Sequence, residues 1–138
     1  MIDKKLYSEI RKINNIMRNI SHNSLSQDLN LSHAQINILE IINSNPGIIQ
    51  KEIASIINIK ASSMTELVSK LKNKDLIYRK KDDTDLRIIR LFITDKGKEE
   101  LKNITKIRDE NEKSIFKSLN EDEKENLYSL LKKINESL

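Results

Sequence analysis

The sequence lacks cysteine entirely and has only two glycines and one proline among its 138 residues. Without thiols, the chain has no disulfide framework, no thiolate metal site and no cysteine redox sensor. Because glycine and proline interrupt helices, their scarcity favours long helices joined by short turns. A glycine-rich phosphate loop is absent and only two histidines are present, so the usual signatures of an enzyme are missing. We therefore expect no catalytic activity and no cofactor.

Long apolar segments are also absent. Residues 1–20 contain seven charged side chains, so this region has no unbroken apolar block of the kind found in secretion signals or membrane spans. We expect a cytoplasmic protein. Apolar residues make up 37% of the chain, below the average share of ~45% or more. One compact domain is expected by length, with some apolar faces covered by a partner subunit.

The positive charge is concentrated in the middle of the chain. The net charge is +4, and residues 51–94 alone contain ten Lys and Arg against six Asp and Glu. A localised basic surface is typical of proteins that bind a polyanion. The sequence therefore favours a nucleic-acid partner.

Apolar spacing predicts two helices before this basic region. Residues 3–22 form the first, with an apolar seam at spacings of three and four that needs a facing helix; the seam comprises Leu6, Ile10, Ile13, Met17 and Ile20. The second begins after Ser32, whose hydroxyl can form a capping box with Gln35. It ends before Pro46 and Gly47.

Two shorter helices follow. One covers residues 50–57 and is followed by Asn58, a residue type that tolerates positive φ. The next covers residues 61–73 and buries Met64, Leu67, Val68 and Leu71. Two short helices joined by such a turn are typical of a helix-turn-helix.

The periodicity changes to two from Leu76 onward, which predicts a β-hairpin with an acidic tip at residues 82–85. Thr94 can cap a long helix over residues 95–118, and Asn120 can cap a last helix together with Glu123. The expected fold is mainly α with a small β-hairpin wing: a winged helix-turn-helix flanked by N- and C-terminal helices.

Short polar side chains near the start of the helix over 61–73 fit a DNA major groove, where bulky groups would hold the backbone away from the base edges. Basic residues beside them can bind phosphates without sequence preference. The alternative for both sets is an ordinary solvated surface. The predicted groove and phosphate contacts are Ser62, Ser63, Thr65, Ser69, Lys70, Lys72, Arg79 and Lys81.

Arg87 lies at the tip of the predicted hairpin, two residues after Asp85. The Asp85 carboxylate can orient the guanidinium through a charge-assisted pair as it enters a narrow minor groove. The alternative is a surface ion pair that contributes well under ~1 kcal/mol. We predict that Asp85 and Arg87 form the DNA-binding tip of the wing.

The segment from Leu31 to Leu101 resembles the winged helix-turn-helix core of the MarR family of bacterial transcription regulators. The resemblance implies a homodimer that binds double-stranded DNA at a pseudo-palindromic operator. It also implies a repressor that responds to a small aromatic or phenolic effector. The residues that carry the resemblance are Pro46-Gly47, Glu52-Ile53-Ala54, Ser62-Ser63-Met64-Thr65, Leu76-Ile77-Tyr78-Arg79, Asp85-Leu86-Arg87 and Leu91-Phe92-Ile93-Thr94-Asp95-Lys96-Gly97.

On this resemblance, residues 31–97 form the DNA-binding lobe of a single domain over 1–138, and residues 1–22 and 98–138 form the dimerisation helices. Candidate walls of an effector pocket are Ile13, Met17, Ile36 and Leu39, which are also explained by an ordinary core.

Three positions depart from the family pattern. Lys60 stands where a capping Ser or Asp is common. Asp75 replaces the usual Gly after the helix over 61–73, which is the recognition helix of the family. Glu66 occupies a place often held by a basic or amide residue; it must repel phosphate or accept from a cytosine amine. Two other functions remain open: a winged-helix module or antagonist that binds proteins, and a ligand-independent regulator of the staphylococcal accessory type.

Overall fold

The computed structural model describes residues 1–24 and 31–138, which form two compact units. One unit contains Met1–Asn23 and Lys106–Leu138, and the other contains Ser24–Thr105. The elements are α1 (Ile2–Ser24), α2 (His33–Ser44), α3 (Gln50–Ile57), α4 (Ala61–Asn73), β1 (Ile77–Lys81), β2 (Ile89–Ile93), α5 (Asp95–Ile115) and α6 (Glu121–Glu136). The predicted fold class, mainly α with a β-hairpin wing, is confirmed.

Helices α2, α3 and α4 pack with the hairpin around one apolar core in the Ser24–Thr105 unit. Leu67, predicted to be buried, is only half-buried. The first half of α5 also belongs to this unit. Among the described residues of the unit, the largest fully buried side chains are Ile36, Ile38, Leu39, Ile42, Ile53, Met64, Val68, Leu71, Leu76, Ile77, Leu91 and Ile104.

The predicted start of α2 is confirmed. The Gln35 backbone N–H donates to the Ser32 hydroxyl at 3.2 Å, and the Gln35 side-chain oxygen accepts from the Ser32 backbone N–H at 2.9 Å. This reciprocal pairing satisfies two amides that the helix itself leaves without partners. The bounds of α3 and α4 also agree with the sequence prediction.

Backbone positions with positive φ set the turns around the helix pair. Gly47 (φ 88°) ends the turn before α3, Asn58 (φ 54°) joins α3 to α4, and Asp75 (φ 61°) follows α4. The prediction for Asn58 is thereby confirmed. Asp75 adopts the left-handed geometry that a glycine reaches without steric cost. Its carbonyl accepts the Thr94 hydroxyl at 2.7 Å, which ties this turn to the start of α5.

The hairpin pairs β1 and β2 antiparallel, with Ile77 opposite Ile93 and Lys81 opposite Ile89. Tyr78 and Phe92 face each other across the strands, and their rings stack with centroids 5.3 Å apart. Such a cross-strand aromatic pair stiffens a two-stranded ribbon, which is only marginally stable alone.

Helix α5 begins as predicted, because the Thr94 hydroxyl accepts the Gly97 backbone N–H at 3.0 Å. It ends at Ile115 rather than at the predicted residue 118. Residues 116–118 form a turn in which the Leu119 N–H donates to the Phe116 carbonyl at 3.1 Å. This tighter turn precedes the Asn120–Glu123 capping box that starts α6, as predicted.

The unit formed by α1, the second half of α5 and α6 carries a large exposed apolar surface. Within a single chain, Leu6, Ile10, Ile13 and Met17 of the predicted α1 seam are 44–55% exposed. Helix α6 likewise exposes Leu130, Leu131 and Ile134. Contiguous apolar faces of this kind mark surfaces that associate with another protein surface.

Candidate nucleic-acid interface

Helix α4 presents a polar face opposite the face that it buries. Met64, Val68 and Leu71 are fully buried, whereas Ser62 and Ser63 are exposed on the first turn. Lys60 occupies the N-cap position and makes no side-chain capping hydrogen bond. The start of α4 therefore offers small hydroxyls beside backbone N–H groups, which suits close approach to DNA.

Thr65 lies on the same face but is already engaged. Its hydroxyl donates to the Ala61 carbonyl at 2.9 Å and accepts from the Gln50 side-chain amide at 2.8 Å. Thr65 therefore joins the start of α3 to α4 in the free protein. Gln50 was not identified from the sequence, because no local pattern links it to a residue on the following helix.

The predicted phosphate ligands lie at the end of α4 and along β1. Lys72, Arg79 and Lys81 are exposed, and Ser69 is half-buried. Lys70 is exposed but lies 3.2 Å from the Glu66 carboxylate, one helical turn earlier. The Glu66 carboxylate therefore offsets part of the positive charge at the end of α4.

The wing tip holds Arg87 in a bidentate ion pair. Its Nε and Nη2 atoms donate to the two carboxylate oxygens of Asp85, each at 3.1 Å. The Arg87 side chain is 90% exposed and that of Asp85 is 36% exposed. The hydrogen bonds from the guanidinium, and then from the Arg87 backbone N–H, lower the pKa of Asp85 below its ordinary value. The ion pair predicted from the sequence is therefore present, with the arginine facing solvent.

A second ion pair lies at the base of the same loop and was not predicted. The Asp82 carboxylate accepts from Arg90 Nε at 2.7 Å, and its other oxygen accepts from the Thr84 hydroxyl and from the backbone N–H groups of Thr84 and Asp85. Led by the Arg90 contact, these bonds hold the pKa of Asp82 well below its ordinary value. The acidic tip is therefore a hydrogen-bonded turn.

The four candidate pocket residues divide between the two units. Ile36 and Leu39 are fully buried in the core of the Ser24–Thr105 unit. Ile13 and Met17 belong to the other unit and are 45% and 44% exposed.

Two kinds of feature are absent from residues 1–24 and 31–138. No cluster of three acidic, histidine or cysteine side chains suitable for a metal ion occurs there. No helix within these ranges is long and apolar enough to cross a membrane.

Residues 31–89 match the model of the MarR family. Two regulators of Bacillus subtilis (strain 168) are similar to the chain, both described as HTH-type transcriptional regulators. YybA is 34% identical over 64% of this chain and 57% of its own length. YpoP is 30% identical over 78% of this chain and 70% of its own length.

Solved structures share the architecture over nearly the whole chain. A mutant of S. aureus MepR superposes with a TM-score of 0.87 at 25% identity, covering 95% of this chain and 96% of MepR. A putative MarR family regulator from Clostridium acetobutylicum has a TM-score of 0.83 at 29% identity, covering 97% and 98%. A MepR mutant bound to an oligodeoxyribonucleotide has a TM-score of 0.75 at 27% identity, covering 95% and 96%.

Proposed function

This chain belongs to the MarR family of transcriptional regulators, and from that premise we propose that it is a sequence-specific DNA-binding protein, acting in the cytoplasm as a homodimeric repressor. The observation that carries the proposal is the pairing of two exposed elements within one compact unit. The start of α4 exposes Ser62 and Ser63, and the wing exposes an arginine oriented by Asp85.

The chemistry of the two elements fits the two grooves of DNA. A helix that enters the major groove contacts base edges with residues near its N-terminus. The narrow minor groove of A·T-rich DNA has an enhanced negative potential that attracts an inserted arginine. On this proposal, α4 selects bases directly and Arg87 selects flanking sequence through groove shape.

The basic side chains around these elements supply affinity. Lys70 and Lys72 lie at the end of α4, and Arg79 and Lys81 lie on β1. Each phosphate that they neutralise releases counterions. Glu66 reduces the contribution of Lys70 through their ion pair. The resulting affinity depends strongly on salt and weakly on sequence.

A homodimer accounts for the exposed apolar faces of α1 and α6. Two copies related by a twofold axis would present two recognition helices to a pseudo-palindromic operator, with half-sites about 34–36 Å apart or a multiple of that spacing. The solved structure of MepR with an oligodeoxyribonucleotide supports a DNA partner for this architecture.

We extend the proposal to release from DNA by a small aromatic or phenolic effector that changes the spacing of the two recognition lobes. Of the pocket walls predicted from the sequence, Ile36 and Leu39 lie together in the Ser24–Thr105 unit. Because Ile36 and Leu39 are fully buried, an effector must displace core packing to reach them. Titration of benzoic acid and phenol into the DNA complex tests this step.

The test of the main proposal is selection of bound duplexes from a random pool, followed by titration of the selected operator with salt. We expect log K to fall linearly with log salt, with a slope of about −0.9 per phosphate and roughly 6–10 phosphates per dimer. Salt-insensitive binding, or none, would instead favour the winged-helix interaction module. If binding is salt-sensitive but the selection enriches no sequence, the protein binds DNA without sequence preference and the proposed operator is wrong.

A further inference from the structure

Strand β2 is hydrogen-bonded on both of its edges. One edge pairs with β1, and the other pairs with the segment that leads from α2 into α3. The Gly47 N–H donates to the Leu91 carbonyl at 2.9 Å, and the Leu91 N–H donates to the Ile48 carbonyl at 3.0 Å. The wing therefore shares backbone hydrogen bonds with the entry to the helix-turn-helix.

The Arg90 side chain spans the same junction. Its Nε donates to the Asp82 carboxylate at 2.7 Å in the turn of the wing. Its Nη1 donates to the Gly47 carbonyl at 2.9 Å, in the turn before α3. The arginine Cδ also lies 3.7 Å from the position of a Cβ built on Gly47, so the stem packs along this turn. A planar guanidinium is suited to two such contacts because its donors have fixed directions.

Asp82 continues this connection to the tip of the wing. The Asp85 backbone N–H donates to the Asp82 carboxylate at 3.0 Å, and the Asp85 carboxylate holds Arg87. A continuous series of hydrogen bonds thus runs from the Gly47 carbonyl through Arg90, Asp82 and Asp85 to Arg87. The Arg90–Asp82 and Arg87–Asp85 ion pairs are thus joined by the hydrogen bond from the Asp85 backbone N–H to Asp82.

Arg90 differs in this respect from the other basic residues near the wing. Its side chain is 41% exposed, and its partner Asp82 is only 15% exposed. The Arg90 charge is offset at close range and two of its nitrogens are already occupied. Arg79 and Lys81, in contrast, lie on β1 with exposed side chains.

We propose that Arg90 is a positioning residue for DNA recognition, which holds the wing at a set angle to the helix-turn-helix by bridging the Asp82 carboxylate and the Gly47 carbonyl. The proposal rests on the proposed DNA binding and assigns to Arg90 a role other than phosphate contact. Its effect on DNA reaches the duplex through Arg87.

The first experiment compares Arg90→Met with Arg79→Met on the selected operator over a range of salt concentrations. Methionine keeps an unbranched apolar stem and removes the charge and the donors. We expect Arg90→Met to weaken binding about tenfold, the effect of one well-placed arginine contact, with the salt slope of wild type. Arg79→Met should flatten the slope by about 0.9 for each phosphate that is no longer neutralised. A flattened slope for Arg90→Met would overturn the proposal, as would unchanged affinity.

The second experiment is a double-mutant cycle with Arg87→Ala. If Arg90 acts through Arg87, then Arg90→Met should reduce DNA affinity only slightly when Arg87 is already alanine. The losses of binding free energy from the two changes should therefore not add. Additive losses would show that Arg90 acts on DNA independently and would overturn the proposal. Arg90→Lys should recover part of the affinity, because lysine can reach one of the two acceptors.

A measurement without DNA separates this proposal from the proposed function. Amide exchange of Gly47 and Asp85 in the free protein should accelerate in Arg90→Met and remain unchanged in Arg79→Met, with thermal unfolding confirming that both variants are folded. If amide exchange of Gly47 and Asp85 is unchanged in Arg90→Met, the proposal that Arg90 holds the wing to the turn before α3 is wrong. Absence of DNA binding by wild type, together with accelerated exchange, would refute the proposed function while retaining the structural role of Arg90.

Discussion

At the residue scale, the proposed minor-groove contact depends on Arg87. We expect Arg87→Ala to weaken binding by about 1–3 kcal/mol, the range for one good arginine contact, chiefly on operators with A·T-rich flanks. Arg87→Lys should recover charge without the bidentate fork that Asp85 orients. Fluorescence anisotropy measures the affinity of both variants for matched operators with A·T-rich and G·C-rich flanks. Equal losses on the two operators would remove the minor-groove assignment.

On helix α4, we expect the removal of the Glu66 charge to strengthen DNA binding. Because it pairs with Lys70 and repels phosphate, Glu66→Gln should strengthen binding to every sequence. The gain should be about 0.3–0.5 kcal/mol for each protomer, which is the usual worth of such a helical pair. Glu125→Gln on exposed α6 makes the same change in net charge and is the control. A loss confined to operators with cytosine at one position would instead show that Glu66 accepts a base amine.

Single residues were predictable where their partners are close in sequence. The Ser32–Gln35 box, the left-handed Asn58 and the Asp85–Arg87 pair each form within a few residues, so their spacing predicts their geometry. The contacts of Gln50 with Thr65 and of Arg90 with Gly47 and Asp82 could not be predicted in this way. They join residues that are 15, 43 and 8 positions apart, brought together only by packing.

At the element scale, the start of α5 packs closely against the turn between α4 and the wing. A Cβ built on Gly97 would collide with the Leu76 carbonyl and would lie 2.6 Å from Ile93 Cγ1. We therefore expect Gly97→Ala to destabilise the protein by about 1–3 kcal/mol through overpacking, despite the higher helix propensity of alanine. Urea unfolding at fixed protein concentration measures the change.

The neighbouring Lys98→Ala is the control for this prediction, since Lys98 is exposed and its change to alanine leaves the packing intact. A Gly97→Ala variant as stable as wild type would show that Leu76 and Ile93 can move away from α5 without loss of stability. In that case α5 would not fix the base of the wing.

Most element boundaries followed from caps and changes of periodicity, which are local signals. The limits of α3 and α4 and the starts of α2, α5 and α6 agree with the sequence prediction. The end of α5 does not, because no glycine or proline marks it and the turn at residues 116–118 continues a helix-compatible sequence. The pairing of β2 with residues 47–49 was likewise missed, since it joins segments separated by two helices.

At the scale of the whole molecule, the proposed dimer depends on the apolar seam of α1. Ile10 is 50% exposed in the single chain, and a carboxylate placed there would have to be buried in the dimer without a partner, which is strongly unfavourable. We expect Ile10→Glu to sediment as a monomer at micromolar concentrations and to lose affinity for a two-half-site operator.

Asn15→Glu is the matched control, because Asn15 lies on the face of α1 opposite the seam. It should sediment as wild type does. If Ile10→Glu also keeps the dimer mass, then the seam of α1 is not the interface, and the apolar face of α6 becomes the next surface to test.

The sequence by itself determined the order of the helices, the turn residues, the caps and the arginine at the tip of the wing. Each of these depends on the conformational preferences of neighbouring residues, which a one-dimensional pattern records. Only the tertiary structure decided that Thr65 is held by Gln50 and that Arg90 joins the wing to the turn before α3. These contacts exist because the packing of α2, α3 and α4 with β2 carries distant backbone and side-chain groups to within hydrogen-bond distance, and no local pattern encodes that proximity.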